Sequence, residues 1–185
     1  MYRHVFLLFV LSPWSASAFG SDARDFENMA QMAFFGLTSE ADNAYANKQY
    51  AVAFPKYQRL ACAGDKASQA MLGRMYFSGE GVAQNDLQGY LWFKLASEFD
   101  FPMYRTTVKK IESLLSAEQL KAFAANADRL RDSYGIRATN MSCKQHSSST
   151  FSSNMKDTVM CIPKLEGSGF MVRKCAEETV AVVPK

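Results

Sequence analysis

From Phe26 to about Tyr134 the apolar positions recur at three- and four-residue intervals, the period of helices packed on one face. Phe26, Met29, Ala30, Ala33 and Phe34 open the series as one helical face, and Gly36 marks its expected stop. SEADNAYANKQ begins a second helical stretch, which YAVAFPKYQRLACAG continues. Pro55 marks a kink or a boundary near its first turns, and Gly64 stands where a helix C-terminal glycine belongs. The spacing predicts a helix over Ala67–Phe77, with Leu72, Met75 and Tyr76 at packing intervals and Gly73 inside the turn. A loop over Ser78–Gln84 follows, and Asn85 or Asp86 caps a helix that carries Gly89, Trp92, Phe93 and Ala96 toward a partner. Another helix covers roughly Tyr104–Leu115. Ser116 and Gln119 then form a capping box for a last helix, which Gly135 ends.

Beyond Gly135 the helical period fades. TVMCIPKLEGSGFMVRKC reads as two short strands about a glycine-rich turn. With the hairpin centred on Ser168, Glu166 opposes Phe170 and Cys161 falls opposite Cys175, at a site where cross-strand side chains are closest. Pro163 then falls at another such site, where its missing N–H costs the hairpin nothing.

The first residues change how the cysteines read. MYRH is basic, VFLLFVL is apolar and SPWSASA ends in small residues, the layout of an export signal over 1–18 with Ala16 and Ala18 before the cleavage point. The apolar run is about half of the roughly 20 residues a membrane span needs, so insertion after cleavage is not expected. In an oxidising compartment Cys62, Cys143, Cys161 and Cys175 predict two disulfides, for which three connectivities exist. The hairpin register favours Cys161–Cys175, which leaves Cys62–Cys143. A metal site is not expected, because no CxxC occurs and His146 is the one histidine after the signal.

A 48% hydrophobic, 21% charged chain has the balance of a globular protein, which argues against wholesale disorder. A net charge of +3 gives no field that would point to nucleic acid. SGEG lacks the preceding strand and the GK[ST] of a phosphate loop, so no nucleotide or other cofactor is expected. No nucleophile motif accompanies His146, whose surroundings SCKQHSSSTFSS are serine-rich, and no catalytic residue is assigned.

YQRLACAGD (57–65) echoes WFKLASEFD (92–100) at a shift of 35 residues, a period that points to stacked helix pairs. At LGRMYFSGEGVAQNDLQGYLWFKLA the resemblance becomes specific: Leu72, Gly73, Met75, Tyr76, Gly79, Gly81, Val82, Trp92 and Ala96 match the pattern of a Sel1-like repeat, a relative of the tetratricopeptide repeat. Asn85, Gly89, Leu95 and Phe99 depart from it. Gly73 is expected to let the two helices approach, with Trp92 filling the space beside it, while Gly79 and Gly81 suit positive φ.

The fold expected is all-α: a short solenoid of antiparallel helix pairs over 19–135, followed by an appendage over 136–185 with a disulfide-braced β-hairpin. The resemblance implies a groove lined by the first helices of the pairs that receives another protein, with Tyr45, Gln69 and Arg74 as contact residues. It also implies that Cys62 occupies an exposed position, so that its bridge clamps the tail onto the repeats. A periplasmic or secreted interaction module follows, one form being an immunity or regulatory protein for a toxin or envelope protein. The rival readings are a cell-envelope hydrolase of the β-lactam-binding type and a purely structural scaffold.

Overall fold

The computed structural model describes residues 26–29, 31–147, 157–166 and 169–175, and the expected export signal lies outside them. Strand β1 (Phe26–Met29) leads into six helices: α1 (Gln31–Ala46), α2 (Tyr50–Cys62), α3 (Lys66–Ser78), α4 (Asp86–Ala96), α5 (Pro102–Glu112) and α6 (Ala117–Tyr134). A single turn, α7 (Ile136–Thr139), precedes β2 (Met141–Ser147), β3 (Asp157–Pro163), β4 (Leu165–Glu166) and β5 (Gly169–Arg173). The architecture is a short α-solenoid with a small disulfide-braced hairpin, β2–β3, at its C-terminal side.

The helices pack in sequence, α1 on α2, α2 on α3 and α3 on α4, while α5 and α6 both pack on α4. The α1–α2 pair repeats α3–α4 with one change of length. In the first helices Ala41, Ala44 and Tyr45 stand 31 positions before Leu72, Met75 and Tyr76; in the second, Tyr57 and Ala61 stand 35 before Trp92 and Ala96. All except Tyr45 are buried. The extra residues lie in the connection, which is 47–49 in the first pair and 79–85 in the second. Each first helix ends on a left-handed residue, Lys48 (φ 58°) and Gly79 (φ 67°). A lysine there pays the Cβ strain that glycine avoids.

Local signals account for most of the helix ends. Asp65, Asn85 and Ser116 each accept a hydrogen bond from the backbone N–H three residues on, and Gln119 completes the box at Ser116. Pro102 occupies the first turn of α5, where its missing N–H is not needed. Pro55 lies within α2, which runs unbroken through it.

Several expectations give way. Phe26–Met29 is a strand paired with β5, because a sheet partner distant in sequence overrides the local helical period. Gly36 does not stop α1; it sits exposed with open space at its Cβ position, where a helix tolerates glycine at a modest entropic cost. Gly73 is confronted by Phe93 and not by Trp92: a Cβ would lie 2.5 Å from the Phe93 ring and 2.9 Å from the Gly89 carbonyl oxygen. Gly89 in turn accommodates Phe77, whose ring stacks on Phe93, so two glycines and two phenylalanines make the α3–α4 contact. Trp92 points elsewhere, buried and stacked on Tyr134 of α6.

The C-terminal strands also differ from the expected hairpin. β3 pairs with β2, placing Cys143 directly opposite Cys161, and these two form one disulfide. β5 lies between β1 and β4, and the β4–β5 turn pairs Glu166 with Gly169, one residue away from the expected register. Cys175 therefore has no cross-strand cysteine and bonds to Cys62, so the expected Cys161–Cys175 and Cys62–Cys143 pairs are both corrected. Cys62 is fully buried at the end of α2 and not exposed. Gly64 (φ +102°) follows it, and a Cβ there would collide with Thr139 Oγ1, so this turn lets the C-terminal segment close on the helices.

Candidate functional site

The three contact residues expected from the sequence fall into two different environments. Tyr45, near the end of α1, lies half-buried beneath α3, with the Arg74 guanidinium 5.2 Å from its ring centroid. Its hydroxyl donates to Glu80 Oε2 at 2.5 Å, and its ring contacts Tyr50 and Tyr57. Arg74 itself is exposed on α3. The Tyr45 ring, fixed by the Glu80 carboxylate, thus lies beneath an exposed arginine, a cation–π arrangement with a fixed base. Tyr45 is part of that base, and its 31-residue relation to Tyr76 shows why: it fills the repeat's core tyrosine position.

Gln69 belongs to the interior. It is fully buried, and its Nε2 donates to the carbonyl oxygens of Ala61 at 2.9 Å and Tyr134 at 3.0 Å. Lys66, also fully buried, donates from Nζ to Gln69 Oε1, to the Leu95 carbonyl oxygen and to Glu98 Oε2. Glu98 Oε2 further accepts the Ile136 N–H at 2.8 Å. Two side chains one turn apart on α3 therefore satisfy carbonyls at the ends of α2, α4 and α6, and Glu98 joins them to α7. Burial draws the Lys66 ammonium below the usual lysine range, and the Glu98 carboxylate opposes that shift. Gln69 is thus removed from the contact set; its polarity on a surface-like helix stretch serves helix ends instead.

Two hollows adjoin this network. One, of about 540 Å³, lies between α4 and α6 and is bordered also by Glu112 of α5. There Glu112 Oε1 accepts from Lys94 Nζ at 2.6 Å and from the Tyr90 hydroxyl at 3.1 Å. The second, of about 590 Å³, is bordered by Glu98, Arg131, Asp132 and Arg137. The sequence carried no signal for either: the first forms between α4 and α6, which are distant in the chain, and the second where Glu98 meets the α6–α7 junction. On the sheet side, Ser142, Lys144, Met160 and Ile162 border a smaller hollow.

Tyr45 and Tyr90 offer a titration test. Burial, then a hydrogen bond to Glu80 or Glu112, pushes each phenol up to about 12 from the ordinary 10.0. The unfolded chain releases these protons first, so the contribution of these two phenols to stability is expected to be level below pH 10 and to fall as pH rises from 10 to 12. Phenolate absorbance of the folded protein should rise late over the same interval. A full tyrosinate signal with ordinary midpoints in the folded state would refute the two hydrogen bonds.

No group of three or more His, Cys, Asp or Glu side chains that could hold a metal gathers among the described residues. No helix among them is long and apolar enough to cross a membrane. The chain matches no known family model and no curated protein. Among solved structures it resembles a protective antigen present in uropathogenic Escherichia coli strains, described as displaying an SLR (Sel1-like repeat) fold, with 26% identity and a TM-score of 0.45. The match covers 59% of this chain and 24% of the antigen, so the chain spans about a quarter of that protein's length.

Proposed function

We propose that this chain is an exported protein-interaction module, in which the helix pairs present a surface centred on Arg74 to another protein. In this reading 1–18 directs export, 19–135 is the helical domain and 136–185 is an appendage closed against it. Two disulfides suit an oxidising compartment. The observation that carries the reading is the Arg74 guanidinium, held exposed over the Tyr45 ring while Tyr45 is fixed by Glu80. Arginine and tyrosine are enriched among the residues that dominate interface energies, and a preset side chain loses less entropy on binding. The chain acts by binding and not by catalysis. The specific form proposed is an immunity or regulatory protein that caps a toxin or envelope protein.

The test is capture with the mature, oxidised protein from a periplasmic extract, followed by affinity measurement on the partner identified. Arg74→Ala is expected to weaken that complex by about 2 kcal/mol, roughly 30-fold in Kd, with thermal stability unchanged. A partner whose affinity ignores Arg74 would place the interface elsewhere.

A further inference from the structure

Tyr90 of α4 meets the Phe123 ring of α6 at 5.8 Å, and at the other end Glu98, just past α4, accepts the N–H of Ile136, just past α6. The two helices therefore run in the same sense, and the 540 Å³ hollow is a trough along them. Its apolar floor includes Leu95, Leu120 and Ala127. An ion pair stands toward each end: Lys94–Glu112 at one, Arg131–Asp128 at the other. We infer that this trough is a second binding site, which takes an extended peptide segment of a partner protein with an apolar side chain between charged ones. The inference rests on the reading of the chain as an interaction module, but uses a different surface, since Arg74 lies against α1.

Three properties select that ligand. Eleven helical steps from Leu120 to Arg131 give the trough a length of about 16 Å, room for about five extended residues. Its volume lies within the usual range of ligand sites, and Glu98 and Arg131 are shared with the second hollow, so a chain can pass on toward Arg137. The rim carries both signs of charge on partly exposed side chains: 42% for Lys94, 28% for Glu112, 55% for Arg131 and 59% for Asp128. Such pairs contribute little while exposed and can exchange partners with incoming charges. A polyanion would meet Glu112 and Asp128 as well as the cations, and a lipid chain would leave the rim unused. A peptide with mixed charge and an apolar residue uses both floor and rim.

The probe is a library of random heptapeptides displayed on phage, panned against the full oxidised protein, with the enriched sequence then made as a free peptide. Ala124, exposed at the trough wall, is changed to Trp so that the indole stands in the trough without displacing core. The expected result is a mixed-charge peptide with a central apolar residue, whose Kd rises at least tenfold with Ala124→Trp and stays within twofold with Arg74→Glu. Helical circular dichroism of both variants should match the parent. No enrichment, or a peptide that binds parent and Ala124→Trp within twofold, overturns the inference. A peptide lost with Arg74→Glu but kept by Ala124→Trp overturns the trough while leaving the interaction reading intact.

Discussion

Lys66→Met is expected to destabilise the protein by about 3–5 kcal/mol, the range for breaking a buried ion pair from one side. The Lys66 side chain has no exposure to water, whereas Glu98 keeps 24% of its own. All three ammonium donors are in use, at 3.0 Å to Gln69 Oε1, 3.3 Å to the Leu95 carbonyl oxygen and 2.9 Å to Glu98 Oε2. Methionine preserves the apolar stem but leaves these acceptors without their donor. The loss spreads, because Gln69 holds Ala61 and Tyr134 only while its own oxygen is fixed by Lys66. Urea unfolding followed by fluorescence gives the measurement: in a chain that begins at Phe19, buried Trp92 is the one tryptophan. Adding Glu98→Gln to Lys66→Met should recover part of the loss by removing the stranded carboxylate, a coupling within about 0.5–3 kcal/mol. A single-variant loss under about 1 kcal/mol would show that the network does not hold the helix ends.

How much of this was legible in the chain depends on whether the partner of each residue is near or far. The α3–α4 unit could be read because its determinants are local: the cap at Asn85, the left-handed Gly79 and Gly81, and the small residues at the crossing. Even there the partner of Gly73 was misread, since the choice between Trp92 and Phe93 depends on helix rotation, and periodicity leaves about 100° per residue undetermined. Gln69 shows the opposite case. A polar side chain at a helix position reads as surface unless the acceptors it serves are known, and Tyr134 is 65 residues away. The strands failed for the same reason: β1 finds its partner across the whole chain in β5, and β3 takes β2 rather than the nearer β5. The candidate site was only half legible. Of the three expected contact residues Arg74 is exposed on α3 and Gln69 is interior, while the trough arises from the course of α6 past α4, which no local pattern encodes.

The altered cysteine pairing carries the second large expectation. Cys62–Cys175 closes 113 residues, whereas Cys143–Cys161 closes 18 within one hairpin. In the chain-entropy account a loop near 100 residues contributes about 4.7 kcal/mol and one near 15 about 3 kcal/mol. Removing the long bridge also unties the end of α2 from the segment that follows β5, the central strand of the β1–β5–β4 sheet. The double variant Cys62→Ala/Cys175→Ala is therefore expected to lose about 4 kcal/mol in urea unfolding, and Cys143→Ala/Cys161→Ala about 2–3 kcal/mol. Alanine avoids placing a hydroxyl at the buried Cys62 site, and the two-cysteine design leaves no free thiol to reshuffle. Non-reducing peptide mapping fixes the connectivity first: the Cys62 peptide must be linked to the Cys175 peptide. A link from Cys62 to Cys143 would put β2 against the end of α2, break the facing Cys143–Cys161 pair, and overturn both the strand pairing and the order of the two stability losses.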